Sequence, residues 1–237
     1  MTIAAAAVGA VILGLVIASS RSGPPVASIV APSSTIPADL QDGMALGRAD
    51  APVTVDEYVD FQCPYCGALA RTLQPRIVSD FVATGKVRLV AHDLAFLGQG
   101  RSPDESTDAA VAAACALQQG RYWPYHDYLF ANQFPQEDSG AFSRDRLEAI
   151  ADAVGLDRTA FGTCFDDQTV RTQVAADTNA AFAKGINQTP TLLFNGTPHV
   201  GVPTYDQFAA LVAQAAGSPA PQPSGAPQSS ATGSPPP

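Results

Sequence analysis

Basic residues are scarce in this sequence, and their scarcity argues against a nucleic acid as a partner. Lys and Arg number 13 against 22 Asp and Glu, so the formal net charge is −9. No run of Lys or Arg forms a stripe that would neutralise phosphate groups. Charged residues make up only 15% of the 237 residues, whereas hydrophobic residues make up 46%. A chain of this length buries one good core but has little material for two once its ends are discounted, so we predict one main domain.

Charge is missing altogether from residues 3–18, an uninterrupted run of Ala, Val, Ile, Leu and Gly with no Lys or Arg before it. Such a run indicates an export signal or a membrane anchor, with a buried core helix as a third alternative. It is slightly short of the roughly 20 residues that span a bilayer comfortably, yet longer than the roughly 7 to 15 apolar residues of many cleaved signals. We expect residues 1–20 to anchor an extracytoplasmic protein in the cell membrane as a transmembrane segment. The alternative is a signal cleaved before Ser19, which would give a secreted protein.

Two further segments have few of the apolar side chains that a core requires. Residues 21–43 are rich in Ser, Pro, Gly and Ala with scattered Val and Ile, and residues 217–237 consist of Pro, Ser, Gly, Ala, Gln and Thr without a single charge. Neither segment buries enough apolar surface to offset the entropy lost on ordering. We therefore predict a flexible linker at 21–43, a folded part at 44–216 and a disordered tail at 217–237.

Strand signals open the folded part. Val53–Val59 is rich in β-branched and aromatic residues and follows a proline, which predicts a strand. A helical stretch follows and stops at Gly85, and residues 86–92 predict a second strand. The first part of the domain, residues 44–99, is thus predicted to be a βαβ unit with its ligand site where strand gives way to helix.

Strand signals are missing from residues 100–185, which carry only helical patterns and begin with an N-cap predicted at Ser102. They return in residues 186–216, with a strand at Thr191–Phe194, a hairpin turn at Asn195-Gly196 and a final helix. The sequence therefore predicts an α/β fold whose order is βαβ, an all-helical insertion, then ββα.

The motif Cys63-Pro64-Tyr65-Cys66 stands where the first predicted strand gives way to the helix. The alternatives to a redox pair are half of a zinc site and an ordinary structural bridge. A zinc site needs a second close pair of ligands, and neither Cys115 nor Cys164 has another Cys or His within five residues. At a helix N-terminus, unpaired backbone N–H groups and the positive end of the dipole stabilise a Cys63 thiolate. Cys66, one turn further on, is placed to resolve a mixed disulfide, and Pro64 and Tyr65 form the loop between the two.

The sequence resembles the DsbA-like branch of the thioredoxin superfamily, particularly the extracytoplasmic forms of Gram-positive and related bacteria, from about residue 47 to residue 211. The motifs that carry the resemblance are Asp60-Phe61-Gln62-Cys63-Pro64-Tyr65-Cys66, then Gln119-Gly120-Arg121-Tyr122-Trp123 with His126-Asp127 and Leu129-Phe130, then Gly185 with Thr189-Pro190-Thr191 and Asn195-Gly196. The resemblance implies a thioredoxin fold with a helical insertion. It also implies that Cys63 exchanges disulfides with the substrate and that Cys66 resolves the intermediate.

The resemblance assigns roles to residues that are ambiguous by themselves. Thr189-Pro190 alone predicts an ordinary trans bond before a strand. The family instead holds a cis proline facing the dithiol, which implies that place for Pro190 and pairing of the Thr189 backbone with an extended substrate segment. Glu57 lies on a strand predicted to be buried, where an acidic side chain is costly unless it is partnered, functional or in reach of solvent. It matches the family's acidic residue beneath the dithiol, a proton acceptor for the resolving thiol. Asp60 is expected to be solvated or to cap a turn.

The two other cysteines, Cys115 and Cys164, fall in predicted helices of the insertion. Four cysteines in an exported chain favour pairing, so we predict a structural disulfide between these two. His126 lies beside Trp123 and Phe130 in a predicted helix, and we expect it to pack in the core. No cofactor and no metal are expected.

These residues predict an enzyme, a protein-disulfide oxidoreductase that donates the Cys63–Cys66 disulfide to reduced exported proteins. For reoxidation we expect a membrane quinone-linked thiol oxidase of the DsbB or vitamin K epoxide reductase type. A disulfide reductase or isomerase of the same fold stays open as an alternative, because a tyrosine at the position of Tyr65 is found in reducing glutaredoxins too. A non-enzymatic binding module held together by disulfides is the alternative from another class.

Overall fold

A six-stranded sheet forms the centre of the computed structural model, which describes residues 28–217. Its strands are β1 (Gln41–Asp42), β2 (Ala45–Leu46), β3 (Val53–Val59), β4 (Val87–Asp93), β5 (Thr191–Phe194) and β6 (Thr197–Val200). The spatial order is β1-β2-β4-β3-β5-β6. β3 and β4 run parallel, and the other neighbouring pairs are antiparallel. β3 is therefore a central strand.

Helices flank this sheet. They are α1 (residues 64–82), α2 (Glu105–Gln118), α3 (Tyr122–Ala131), α4 (Arg144–Val154), α5 (Arg158–Phe165), α6 (Gln168–Ala183) and α7 (Tyr205–Ala216), with a short 3₁₀ helix at Ala38–Leu40. α1 is α-helical at Pro64–Ala68 and Gln74–Ile77 and has π-helical turns at Leu69–Leu73 and Val78–Val82. The chain leaves α1 through Gly85, whose φ of +74° is a left-handed conformation that favours glycine.

The parallel pair β3 and β4 is joined across α1, which is the predicted βαβ unit. Val53 and Val55 on β3 are buried in one core together with Leu69 and Ile77 of α1. The alternation of a strand puts Glu57 on the same face as these valines. β3 has a neighbouring strand on each side. The turn that follows β3, which contains Cys63, therefore lies at the edge of the sheet where a central strand ends.

Helices α2 to α6 fill the chain between β4 and β5, a stretch that the structure describes in full and that contains no strand. The predicted α/β fold with an all-helical insertion is confirmed. α2 begins later than predicted: Asp104 rather than Ser102 caps it, and the Asp104 carboxylate accepts hydrogen bonds from both the backbone N–H and the hydroxyl of Thr107. A disulfide between Cys115 and Cys164 joins α2 to α5.

Part of the predicted linker 21–43 is attached to the domain. The Val30 N–H donates to Asn132 Oδ1 and Asn132 Nδ2 donates to the Val30 carbonyl, each at 2.8 Å. The same segment contains β1, at Gln41–Asp42. The structure differs from the prediction here because a side-chain amide just after a distant helix satisfies backbone groups of the segment, which local composition does not show.

The expected transmembrane assignment is not supported and is corrected here. Within residues 28–217, no helix combines the length and the apolar character that crossing a bilayer requires. The apolar run 3–18, from which the assignment came, lies outside the described residues, as do residues 218–237 of the predicted tail.

Candidate active site

A short turn connects the end of β3 to Cys63, which is the N-cap residue of α1. The Cys63 N–H donates to the Asp60 carbonyl at 2.9 Å, and the Cys63 carbonyl accepts a hydrogen bond of 3.0 Å from the Gly67 N–H. Pro64 occupies the first turn, where its missing N–H costs no hydrogen bond. This arrangement places the Cys63 sulfur at the N-terminus of a helix, where backbone N–H groups lack helical partners.

The two cysteines of the motif are thiols in the structure and differ in accessibility. Cys63 is 5% exposed and Cys66 is fully buried. Between them, the Tyr65 side chain is 68% exposed. A protein that approaches this surface therefore meets Tyr65 and the edge of Cys63, whereas the Cys66 side chain is not exposed.

The surroundings tune the two sulfurs in opposite directions. A hydrogen bond from the Cys66 thiol, with smaller contributions from Thr189 and the N–H groups of Cys66 and Tyr65, outweighs burial and lowers the pKa of Cys63 to about 6. Burial, together with the neighbouring Cys63 sulfur, raises the pKa of Cys66 well above its usual range. Near neutral pH, Cys63 is therefore mostly a thiolate and Cys66 keeps its proton.

The loop ahead of β5 faces the dithiol. The Cys63 Sγ lies 3.4 Å from the Thr189 carbonyl oxygen, to which it donates only while it is a protonated thiol, and the Thr189–Pro190 peptide bond is cis. The Pro190 carbonyl accepts a hydrogen bond from the Gly201 N–H at 2.8 Å. The structure thus brings together Cys63, Cys66, Thr189 and Pro190, which the sequence analysis singled out.

Glu57 is buried at 3% exposure in the middle of β3, between Ala91 and Leu192 on the neighbouring strands. Burial raises its pKa to about 7, against the opposing effect of His126. Asp127 and Asp93 raise it further. A carboxyl with this pKa exchanges its proton close to neutral pH, and its role toward Cys66 stays a proposal.

His126 is fully buried among aromatic side chains, with ring centroids of Trp123 and Phe130 at 5.0 and 4.9 Å. Its Nδ1 lies 3.0 Å from a carboxylate oxygen of Asp127. The carboxylates of Asp127, Glu57 and Asp93 raise its pKa against the lowering effect of burial. His126 is therefore a packing residue whose side chain also opposes the rise in the pKa of Glu57.

Asp60 is fully buried, so the expectation that it is solvated is wrong, while the turn-capping alternative agrees with the structure. Its carboxylate accepts hydrogen bonds from the backbone of Gln62, Phe96 and Leu97 and from the Ser106 hydroxyl, at 2.8 to 3.1 Å. Burial raises its pKa to about 6. Asp60 thereby ties the turn before Cys63 to the loop after β4.

Sequence reasoning missed two glutamines that make hydrogen bonds at this turn. Gln62 is buried, donates to Ser106 and Asp138, and accepts a hydrogen bond of 2.6 Å from the Asp138 backbone. Gln133 reaches the same turn from the insertion. Gln62 lies within the motif that ends in Cys66, but the motif assigns no role to this glutamine, and Gln133 belongs to none of the quoted motifs. Only the tertiary contacts reveal them.

Two clefts lie away from the dithiol. One, of about 600 Å³, runs between residues 30–37 and helices α1 and α3, and the other, of about 730 Å³, lies between the sheet and helices α2 and α6. Neither cleft is lined by Cys63 or Cys66. Among the residues from 28 to 217, no three His, Cys, Asp or Glu side chains are grouped as a metal site requires.

Comparison with known sequences identifies relatives across most of the chain. A sequence model of the family described as Thioredoxin matches residues 39–214. Disulfide bond formation protein D of Bacillus subtilis is 27% identical over 165 residues, which are 69% of this chain and 72% of that protein. Na(+)/H(+) antiporter NhaA 3 of Salinispora tropica is 31% identical over 180 residues, which are 76% of this chain. The chain spans only 26% of the length of that antiporter.

A solved structure is similar to this chain over most of its length. BdbD from Bacillus subtilis, in its oxidised form, is similar with a TM-score of 0.66 and 25% sequence identity, covering 78% of this chain and 98% of that one. The fold, the position of the Cys63–Cys66 motif at the start of α1 and the family match over residues 39–214 agree with one another. The chain therefore belongs to the thioredoxin family, and its structure has the DsbA type of thioredoxin fold.

Proposed function

We propose that the chain is a protein-disulfide oxidoreductase that acts as a dithiol oxidase, passing the Cys63–Cys66 disulfide to exported proteins. The opposite tuning of the two sulfurs supports this most directly. Stabilising the Cys63 thiolate stabilises the reduced pair, so the disulfide becomes a stronger oxidant. A sulfur of low pKa also leaves readily from a mixed disulfide.

The reaction begins with the oxidised pair. A substrate thiolate attacks Cys63 Sγ, a sulfur–sulfur bond forms between them, and the Cys63–Cys66 bond breaks with its electron pair on Cys66, which takes up a proton. A second substrate thiolate then attacks the substrate sulfur of the mixed disulfide, and Cys63 leaves as a thiolate. The substrate has lost two electrons and the protons of two thiols. The pair has gained the two electrons and, on Cys66, one proton, and the other proton goes to solvent.

Neighbouring groups assist these steps. Glu57, whose pKa is about 7, is proposed to exchange the proton of Cys66. The Thr189 backbone, 3.4 Å from Cys63 Sγ, is proposed to pair with an extended substrate segment beside Pro190, and the exposed Tyr65 to contact the substrate surface. Neither of the two clefts takes part in this proposal, because a protein substrate binds at the open surface around Cys63.

A dithiol oxidase needs both a reduced substrate and an oxidant that restores its disulfide, and we propose a partner for each role. Reduced exported proteins are the substrates, and a membrane quinone-linked thiol oxidase of the DsbB or vitamin K epoxide reductase type returns the pair to the disulfide. The Cys115–Cys164 disulfide supports a location outside the cytoplasm, because structural disulfides persist in oxidising surroundings.

Oxidative refolding of a reduced, unfolded substrate protein tests the function. The oxidised enzyme is expected to form disulfides in that substrate, whereas Cys63→Ser should be no faster than buffer. Gln119→Ala is a suitable control, since this glutamine joins the end of α2 to Asp157 at the start of α5, away from the dithiol. Equal rates for Cys63→Ser and the unchanged protein would refute the enzyme and favour a non-enzymatic module.

A further inference from the structure

Gln133 joins the helical insertion to the turn that carries the dithiol. Its side chain lies just after α3, and its Nε2 donates to the carbonyl oxygens of Phe61 and Cys63, both at 2.8 Å. These two carbonyls belong to the peptide groups that turn the chain from β3 into α1. One carboxamide thus links two carbonyls of the turn.

The orientation of this carboxamide is fixed from its other end. Arg71 Nη1 lies 3.2 Å from Gln133 Oε1 and donates at 2.7 Å to the Phe130 carbonyl at the end of α3. The oxygen of the amide therefore faces a cation while its nitrogen faces two carbonyl acceptors. The reverse orientation would place the oxygen against two carbonyls, with no donor between them.

Gly67 provides the room for the carboxamide. It lies in the α-helical first part of α1, so no unusual backbone conformation calls for a glycine here. A Cβ added at residue 67 would overlap Gln133 Oε1 and come within 2.7 Å of Arg71 Nη1. The carboxamide of Gln133 therefore takes this position only because residue 67 has no side chain.

The arrangement acts on the first turn of α1. The Cys63 carbonyl accepts hydrogen bonds both from the Gly67 N–H, at 3.0 Å, and from Gln133. Holding this carbonyl fixes the peptide groups whose N–H bonds point at the Cys63 sulfur, namely those of Tyr65 and Cys66. The Gln133 N–H group also reduces the negative potential that the Cys63 carbonyl oxygen produces at the nearby sulfur. Both effects favour the anionic form of the sulfur.

We propose that Gln133 is a positioning residue for the dithiol, which holds the turn so that the N–H groups of Tyr65 and Cys66 contribute to keeping Cys63 as a thiolate. The helical insertion thereby sets how oxidising the pair is. This inference rests on the proposed redox function of the pair. Gln133 acts through the backbone of Phe61 and Cys63, to whose carbonyls it donates.

Two variants test it from opposite sides. Gln133→Met keeps the length of the side chain and removes the donor, and Gly67→Ala keeps the donor and displaces it. Gln119→Ala is the matched control, because Gln119 also bridges two backbone groups, at Asp157. For each reduced protein, the pH dependence of Cys63 alkylation and the redox equilibrium with glutathione are measured, with thermal unfolding followed separately.

Both variants are expected to move the midpoint of Cys63 alkylation up by about one pH unit, a tenfold loss of thiolate below the midpoint. The equilibrium with glutathione should shift several-fold toward the disulfide form, and Gln119→Ala should change neither value. If the unchanged protein alkylates at low pH but both variants keep its midpoint, Gln133 is only structural and the inference is overturned, whatever happens to thermal stability. If the unchanged protein itself shows an ordinary thiol, the proposed function fails and the inference fails with it.

Discussion

Cys63 Sγ lies 3.4 Å from the carbonyl oxygen of Thr189, although 126 residues separate the two in the sequence. The contact joins the start of α1 to the loop ahead of β5. An extended peptide that pairs with the Thr189 backbone would therefore lie directly beside the reactive sulfur. The fold contributes to the site mainly by this juxtaposition.

The first prediction concerns the Thr189 side chain, which lowers the pKa of Cys63 by hydrogen bonding. Thr189→Val keeps the β-branched shape and removes the hydroxyl, so less thiolate is present at pH 6. Alkylation of Cys63 at that pH should slow by about two- to threefold. Thr197→Val, at an exposed position of β6, serves as the control and should alkylate at the unchanged rate. A faster reaction of Thr189→Val would contradict the assigned hydrogen bond.

The second prediction is a pH dependence of stability in the reduced protein. The pKa of Cys63 is lowered from 9.0 to about 6, so between these values the unfolded chain keeps a proton that the folded protein has lost. The free energy of unfolding should therefore rise with pH over this window and lose that gain as pH falls through 6. Relative to reduced Cys63→Ser, the gain from pH 6 to pH 8 is about 2 kcal/mol. Urea unfolding at both pH values measures it, and parallel curves for the two proteins would contradict it.

The third prediction concerns Glu57, whose pKa of about 7 lies above the 4.5 of an unperturbed glutamate. Here the folded protein binds the extra proton, so its stability should fall as pH rises from 4.5 to 7. Glu57→Gln should remove this fall. Between pH 4.5 and pH 7 its free energy of unfolding should rise relative to that of the unchanged protein by an amount on the order of 3 kcal/mol. Urea unfolding at both pH values measures the difference. Glu137→Gln, at an exposed position, is the control.

A kinetic measurement separates this stability effect from the proposed role of Glu57 in proton exchange. Glu57→Gln should slow the step in which Cys66 resolves a preformed mixed disulfide, as followed by quenched-flow trapping. An unchanged rate would leave Glu57 as a buried acid without a part in the reaction.

The sequence predicts the features that depend on neighbouring residues. The Asn195-Gly196 turn is one, since both residues adopt positive φ, at 45° and 86°, as a tight hairpin requires. The Cys63-Pro64-Tyr65-Cys66 motif is another, because a strand end and a helix start are local properties. The predicted N-cap of α2 is wrong by two residues. The carboxylate of Asp104, and not the Ser102 hydroxyl, accepts hydrogen bonds from the backbone N–H and the hydroxyl of Thr107.

The rest of the site depends on contacts between distant segments. The burial of Asp60 follows from donors on the loop after β4 and on Ser106, more than thirty residues away in the sequence. Gln133 reaches Cys63 across 70 residues. Such contacts have no local pattern, so a sequence offers no signal for them without the fold.

The fourth prediction separates the structural disulfide from the redox pair. The Cys115–Cys164 bond closes a loop of 49 residues, so its removal costs about 4 kcal/mol by the chain-entropy relation. The double variant Cys115→Ala, Cys164→Ala should lose about that much free energy of unfolding, as urea unfolding measures. The alkylation rate of Cys63 should stay the same at temperatures where the variant is folded, because the bond joins α2 to α5, away from the turn that carries the dithiol. A loss of Cys63 reactivity in the folded variant would show that the two pairs are coupled.

The reduction potential of the Cys63–Cys66 pair tests the central claim most directly. The Cys63 thiolate, stabilised by the Cys66 thiol and further by Thr189 and the first N–H groups of α1, makes the disulfide an oxidant. The account therefore predicts a value closer to about −120 mV than to about −270 mV in equilibrium with glutathione at neutral pH. A value at or below about −270 mV would contradict it and identify a reductase instead.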